Sequence, residues 1–212
     1  MFLECREWKE GCELTLSPAA DRGDGERMQL AYVFAHSPGA ATGRDEYVSG
    51  LQQFHDALAA APPNGFLDSW VWHVPEAAPV GSFEDWYLVE DWTALGALNA
   101  AAVTGARRAA HDAVAPLAGA GAGGIYALAY GYPASDAGYR LRIDKPAGMP
   151  YSSFEADLLD LVGSWATVWK RQMVLGPDRE YLVDTPSRPH RTLLGKPLTV
   201  AELRTVRSAR TT

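Results

Sequence analysis

The sequence predicts an α+β protein built on a mostly antiparallel sheet that is rich in aromatic residues. Segments with the two-residue alternation of strands and segments with the apolar spacing of helices follow one another in the order β-α-β-β-α-β. Tryptophan and tyrosine concentrate in the strand segments, where aromatic side chains are favoured. With 212 residues, 47% hydrophobic and 21% charged, the chain can form one large domain or two small ones around a sizeable core.

The first unit with this order occupies residues 28–133. Its expected elements are a strand at 28–36, a helix at 44–61, strands at 66–74 and 83–91, a helix at 93–117 and a strand at 125–132. Asp91 or Thr93 is expected to cap the second helix. We interpret residues 119–124, which include four glycines, as a loop rather than a phosphate site, because the stretch follows a helix instead of preceding one.

Two split β-α-β units with right-handed crossovers produce a four-stranded antiparallel sheet with both helices on one face, which is the ferredoxin-like arrangement. The strands of this unit are apolar on both sides, as the alternation in residues 28–36 indicates. We therefore expect the face without helices to be covered by a second sheet or by a partner subunit.

A partial second α+β repeat is predicted over residues 134–185. Its expected elements are a strand at 139–145, a helix at 153–162 and a hairpin of strands at 165–175 and 180–184. The segment Ser69-Trp70-Val71-Trp72 is echoed at residues 164–169, and Tyr87-Leu88-Val89 is echoed at residues 181–183. The echo fits a diverged internal repeat, and chance similarity explains it equally well. If the repeat is genuine, the two copies form an α+β barrel in which the second copy is incomplete.

The two ends of the chain are predicted separately from these units. Residues 1–27 are expected to form a hairpin, with strands at 2–8 and 12–17, followed by a loop. Residues 186–212 form a Pro-rich basic tail with a short helix expected near 199–208. Six Lys and Arg residues in this tail face a single Glu, which favours docking onto the acidic body of the protein or onto a partner subunit.

Composition excludes several classes of partner. The net charge of −7 argues against general nucleic-acid binding, which needs a basic surface. The first residues lack the pattern of a signal peptide, and no apolar stretch is long enough to cross a membrane. Cys5 and Cys12 without partnering histidines make a poor zinc site. We therefore expect a cytoplasmic protein with reduced thiols, no membrane association, no resident metal and no cofactor.

The histidines supply the candidate catalytic residues. His36 and His73 end two strands that are parallel in the split β-α-β arrangement, so they are expected at one end of the sheet, about 10 Å apart. Glu84, on the strand between them, would complete an acid–base or metal-binding cluster. The alternative is that both histidines are ordinary strand-end residues that meet solvent or cap a loop. His55 and His111 are interpreted as exposed helix residues.

The strand aromatics supply the candidate ligand-binding residues, which are Trp70, Trp72, Tyr87, Tyr126 and Tyr130. Core packing explains much of this set, because aromatic residues favour strands. Their hydroxyl and indole N–H groups nevertheless need hydrogen-bond partners when buried, and a pocket or an interface provides them. Both explanations, a packed core with an interface and a ligand pocket, remain open on the sequence.

The chain resembles the dimeric α+β barrel superfamily, in particular EthD-like and antibiotic-biosynthesis-monooxygenase-like proteins. The resemblance covers residues 28–184 and rests on the element order, on two strand–Pro–Gly–helix joins, and on the aromatic strands around Trp70, Trp72, Trp86 and Tyr87. It implies two sheets paired into a barrel and a small, flat hydrophobic molecule bound between sheet and helices. Several members oxidise aromatic polyketides without a cofactor, and others bind or break down haem.

The sequence and the resemblance together leave three possible functions. The first is a small-molecule-binding homodimer of the α+β barrel type, which could act as a cofactor-independent oxygenase or related enzyme on a hydrophobic or aromatic ligand. The second is a non-catalytic domain whose aromatic sheet face serves self-association, as a tight dimer or as an intramolecular barrel with a packed interior. The third is a metal-dependent enzyme that uses the strand-end histidines.

Overall fold

The computed structural model describes residues 28–75, 82–172, 179–189, 192–196 and 198–207. The strands are β1 Leu30–Pro38, β2 Phe66–Val74, β3 Ser82–Val89, β4 Ala118–Tyr130, β5 Tyr139–Ile143, β6 Thr167–Gln172, β7 Tyr181–Thr185, β8 Val200–Glu202 and β9 Arg204–Arg207. The helices are α1 Arg44–Ala60, α2 Trp92–Ala102, α3 Gly105–Val114 and α4 Tyr151–Val162, with a short 3₁₀ turn at Ala115–Leu117. The hairpin predicted within residues 1–27 and the turn between β6 and β7 lie outside the described residues.

The α+β class and the ferredoxin-like order are confirmed. The nine strands described form one antiparallel sheet in the order β8-β5-β7-β6-β4-β1-β3-β2-β9. The first unit contributes β4-β1-β3-β2, and the second contributes β8-β5-β7-β6, so both units place their strands in the same order. The second unit therefore has four strands like the first, with β8 as its fourth. Among the described residues it has one helix, α4, which lies between β5 and β6.

The sheet closes into a barrel. Its two edge strands, β8 and β9, are separated in the chain by Leu203 alone, so the two edges of the sheet must meet. The segment 200–207 pairs with β5 through its first half and with β2 through its second half. On the opposite side of the barrel, β4 pairs with β6. The two units thus cover one another's open face, and the short helix predicted near 199–208 is replaced by these closing strands.

The barrel interior is an aromatic core with buried charges at its centre. The tryptophans Trp70, Trp72, Trp86 and Trp169 are all at most 2% exposed and contact one another edge-on or stacked. The Arg140 guanidinium lies over the rings of Trp72 and Trp86, 4.5 and 4.3 Å from their centroids. Separate apolar layers on the outer faces hold α1, α2 and α3 against the first unit and α4 against the second.

Two predictions within the first unit were wrong in detail. The single helix expected at 93–117 is broken into α2 and α3, because Gly105 adopts a left-handed φ of 58° that turns the chain. The N-terminus of α2 is capped by Asp91, whose carboxylate accepts a hydrogen bond from the Ala94 N–H. The loop expected at 119–124 is instead the first half of the strand β4. No helix of the described residues is long and apolar enough to cross a membrane.

Candidate functional site between sheet and helices

A cavity of about 650 Å³ lies between the outer face of the first unit's sheet and the three helices α1, α2 and α3. Its wall is mostly apolar, with leucines and phenylalanines from the sheet and the helices. One polar part of the wall is formed by Tyr32, His36, Tyr47, Asp85 and Tyr87, and Asn99 and His111 add polar groups from the helices. A volume of this size, apolar with a few convergent polar groups, is typical of small-molecule sites.

The alternation of the strands decides which side chains face this cavity. Tyr32, Phe34 and His36 of β1 point towards the helices, whereas the intervening residues point into the barrel. The glycines of β4 leave space for these rings. A Cβ atom on Gly121 would lie 2.5 Å from the Phe34 ring, and one on Gly123 would lie 2.8 Å from the Tyr32 ring. The glycine-rich residues 119–124, which suggested a loop, therefore form the part of β4 against which the aromatic rings of β1 pack.

A chain of three polar groups crosses the polar part of the wall. The Tyr47 hydroxyl lies 2.5 Å from Nδ1 of His36, and Nε2 of the same ring lies 3.1 Å from Oδ1 of Asp85. All three side chains are almost fully buried. The second contact is within ion-pair distance but is out of line for a well-formed hydrogen bond. Both ring nitrogens of His36 therefore face a polar partner.

Asp85 is also approached by a phenol and by a second imidazole. The Tyr87 hydroxyl donates a hydrogen bond of 3.0 Å to Oδ2, and His55 Nε2 lies 3.6 Å from Oδ1. The His55 ring is fully buried and stacks on the Tyr87 ring at 4.9 Å. Neither of its nitrogens has a hydrogen-bond partner among the described residues. One carboxylate thus serves as the shared negative centre for two imidazoles and a phenol.

The electrostatics of the cluster keep Asp85 ionised. Burial by itself raises the pKa of the carboxyl, but the neighbouring imidazoles of His36 and His55 outweigh it and hold that pKa well below its ordinary value. The same burial, together with the Asp85 charge, raises the pKa of the Tyr47 and Tyr87 hydroxyls. The tyrosines are therefore neutral donors beside a buried anion at neutral pH.

Solved structures share the overall fold of this chain. A candidate monooxygenase from Fusobacterium nucleatum superposes with a TM-score of 0.60 over 84% of this chain and 93% of its own, at 9% sequence identity. A candidate monooxygenase from Lactobacillus acidophilus gives 0.55 over 87% and 96%, at 12% identity. An anthrone oxidase-like protein gives 0.52 over 88% and 94%, at 10% identity. No protein-family model and no curated protein matches the sequence.

The protein has the dimeric α+β barrel fold. In this α+β barrel the two ferredoxin-like units are parts of one chain, joined by β4–β6 pairing and by the closing segment 200–207. The resemblance stated from the aromatic strands and the element order is therefore confirmed at the level of the fold. At these identities the likeness concerns the fold alone.

The barrel places His36 and His73 in one row of the sheet. Both are paired with Phe83 of β3, one from each side, and their rings lie 6.2 and 5.2 Å from the Phe83 ring. His36 lines the cavity, whereas His73 does not. Burial lowers the pKa of His73, and the nearby positive charges of Arg44 and Arg204 lower it further. His73 is therefore most stable as a neutral ring behind the cavity wall.

Glu84 does not join the two histidines. As the residue after Phe83 in a strand, it points to the opposite face, into the barrel, where it pairs with Arg140 and Arg142. Arg140 is held on its other side by Asp184 at 2.6 Å. The carboxylate that does approach His36 is Asp85, one position further along. Among the described residues no group of three or more His, Cys, Asp and Glu side chains could hold a metal ion.

The five predicted ligand-binding aromatics are divided between different parts of the barrel. Tyr87 lines the cavity. Trp70, Trp72 and Tyr126 belong to the packed barrel interior, because their positions alternate with those that face the helices. Tyr130 is partly buried and borders a separate surface depression near the start of β6. The aromatic residues that line a pocket are therefore those on the helix-facing side of the sheet, whereas the strand tryptophans Trp70 and Trp72 pack inside the barrel.

Sequence reasoning missed three members of the polar cluster. Asp85 lies in a strand whose apolar residues are expected to be buried on both faces, and an acid in such a strand is itself a signal of a polar site. Tyr47 lies at an apolar position of the helical spacing in α1, which predicts packing and gives no sign of a polar role. His55 was expected on an exposed helix face and is fully buried instead. The spacing offered a sign of this, since Tyr47, Leu51 and His55 are four residues apart on one face of α1.

Proposed function

We propose that the protein binds a small, flat, aromatic molecule in the cavity between the sheet and the helices, and acts on it without a bound cofactor. The cavity carries the proposal: it offers about 650 Å³ of mostly apolar space, with a polar corner where His36, Tyr47 and Asp85 meet. Aromatic rings in the wall, such as Phe34 and Tyr32, suit stacking with a flat ligand.

Ligand binding is tested by filling the cavity. Ala102 lines it, so we expect Ala102→Trp to weaken binding of anthraquinone at least tenfold, whereas Ala101→Trp, on the adjacent position that does not line it, leaves binding unchanged. Quenching of tryptophan fluorescence on titration measures the affinity, since Trp92 borders the cavity. Equal affinity in both variants, or no binding by the unaltered protein, would remove the proposal.

The finer proposal is a cofactor-independent oxygenase or related enzyme. The structural similarity to an anthrone oxidase-like protein supports it at the level of fold. In such a reaction dioxygen replaces the two hydrogens of an activated ring carbon by a carbonyl oxygen, and its second oxygen atom leaves as water. Consumption of dioxygen by the protein in the presence of anthrone, followed with an oxygen electrode, tests this; no uptake above the rate without protein would contradict it.

We also propose a homodimer. Tyr132 and Trp165 border the same surface depression and are 87% and 83% exposed. Large exposed aromatics in one patch are typical of contact surfaces. Light scattering after gel filtration is expected to give twice the monomer mass, and a Trp165→Ser variant is expected to give the monomer mass. A monomeric unaltered protein would refute this part.

The self-association alternative is favoured by one observation within the chain. The aromatic inner face is closed by the second unit, with Trp70, Trp72, Trp86 and Trp169 packed together. An intramolecular barrel with a packed interior is one of the two forms of self-association that this alternative allows, the other being a tight dimer. Self-association explains the aromatic inner face of the sheet. It does not explain the cavity between the outer face and the helices.

A further inference from the structure

We propose that Tyr47, His36 and Asp85 form a proton relay that removes the hydroxyl proton of a phenolic ligand held in the cavity. This inference rests on the proposed ligand-binding function and names the chemical class of the ligand. The three groups are in sequence, with the Tyr47 hydroxyl on one ring nitrogen of His36 and the Asp85 carboxylate on the other. Tyr47 and His36 both line the cavity.

The tautomer of His36 follows from its neighbours. The ionised Asp85 beside Nε2 favours a proton on that nitrogen, which leaves Nδ1 as an acceptor for the Tyr47 hydroxyl. The Tyr47 oxygen then has its lone pairs available and no second proton to give. A ligand at this corner is therefore recognised best if it donates a hydrogen bond, as a phenol does.

The proton transfer is balanced within the relay. The ligand O–H bond breaks and its proton passes to the Tyr47 oxygen, while the Tyr47 proton passes to Nδ1 of His36. The products are a phenolate in the cavity and an imidazolium at His36, which lies 3.1 Å from the Asp85 carboxylate. The buried carboxylate thus offsets the new positive charge, in the manner of the acid in a serine-protease triad.

The other titratable groups around His36 are consistent with this direction of transfer. They are Tyr32 on its own strand, Tyr87 on β3, His55 and Arg44 on α1, and His73 across the Phe83 ring. His111 of α3 lines the same cavity. Tyr87 stays protonated, donates a hydrogen bond to Asp85 and does not compete for Nδ1 of His36. Arg44 lies over Phe83 and adds a positive charge that favours an anionic ligand.

The experiment uses a ligand that reports its own ionisation. We would titrate 2-hydroxyanthraquinone, whose phenol and phenolate differ in absorption, in the presence of the full-length protein. Anthraquinone, of the same shape without the hydroxyl, measures binding alone. We expect the bound phenol to ionise at least tenfold more readily than the free one, which corresponds to a downward shift of about one pH unit in its titration.

Variants separate the relay from the cavity. Tyr47→Phe and His36→Gln are each expected to abolish the shift while anthraquinone still binds. The matched control is Tyr181→Phe, which removes a buried tyrosine hydroxyl that hydrogen-bonds Glu155 at 2.8 Å in the second unit, and it is expected to keep the shift. If Tyr47→Phe no longer binds anthraquinone, His36→Gln tests the relay by the same criterion, which is loss of the titration shift while anthraquinone still binds.

The outcomes distinguish the two proposals. Binding of both probes without any shift, or a shift that survives both Tyr47→Phe and His36→Gln, overturns the relay and leaves the ligand-binding function standing. If the unaltered protein binds neither probe, the ligand-binding function and the relay fall together.

Discussion

Asp85 is the residue on which the polar cluster depends. It is 4% exposed, has a pKa well below its ordinary value and is approached by His36, His55 and Tyr87. A buried carboxylate of this kind is stable only while its partners are present, because an unpaired buried charge is costly. Such clusters in a cavity wall are also where catalytic groups are found.

The first prediction concerns Asp85 and pH. Because its folded-state pKa is lower than the ordinary 3.8, the stabilisation from its charge is present above that pH and is lost as the pH falls below it. Asp85→Asn should lower the free energy of unfolding by about 3 kcal/mol at pH 7. The difference from the unaltered protein should shrink at pH 3.

Urea unfolding at the two pH values measures this difference. Asp112→Asn is the control, since Asp112 lies on an exposed helix face and should change stability little at either pH. A loss of stability in Asp85→Asn that is the same at pH 7 and pH 3 would contradict an ionised Asp85.

At this scale the sequence allowed part of the site to be foreseen. The split β-α-β topology predicts His36 and His73 at one end of the sheet with the third strand between them, and the structure pairs both with Phe83 of that strand. Strand alternation sends the adjacent Glu84 and Asp85 to opposite faces of the sheet. It does not show which of the two faces carries the His36 ring. The four-residue spacing places His55 on the packed face of α1 with Tyr47, but it does not show that this face meets Asp85.

The glycine-rich composition of β4 explains why its first half is predicted as a loop although it is a strand. Glycine-rich sequence predicts flexibility, yet here glycine is required because the rings of Tyr32 and Phe34 on the neighbouring strand occupy the space of its side chains. The strand is thus specified by tertiary contacts rather than by its own propensity. Hydrophobic periodicity sufficed for β2, β3 and α1, which carry large side chains.

The second prediction tests this account of β4. In Gly121→Ala the new methyl group would lie 2.5 Å from the Phe34 ring, so we expect a loss of about 1–3 kcal/mol in unfolding free energy. Gly96→Ala is the control, because nothing lies within 4 Å of its Cβ position in the middle of α2. That variant should gain up to about 1 kcal/mol. Thermal unfolding compares them, and an equally stable Gly121→Ala variant would rule out the close packing.

The whole molecule is a barrel whose closure depends on a short segment near the C-terminus. Strands β8 and β9 pair with the free edges of β5 and β2, and Leu203 between them is buried in the interior. The sequence predicted that the aromatic sheet face would be covered, and suggested a second copy as the cover. It did not predict the closing strands, because three- and four-residue strands leave little periodicity to detect.

The third prediction concerns this closure. Deleting residues 198–212 removes β8 and β9 and leaves two unpaired edges beside the tryptophan core, so we expect loss of cooperative unfolding and aggregation. Deleting only 208–212 keeps both strands and should leave the unfolding midpoint within a few degrees. Urea unfolding with light scattering distinguishes them. A cooperative, monodisperse 198–212 deletion would show that the barrel does not need the segment.

We propose the cavity between the sheet and α1, α2 and α3 as the ligand site. A crystal structure of the protein soaked with 2-hydroxyanthraquinone tests it most directly. We predict density for the flat ligand in this cavity, with its hydroxyl within hydrogen-bond distance of the Tyr47 oxygen. A ligand bound elsewhere, or a cavity closed by its own side chains under the same soak, would contradict the claim.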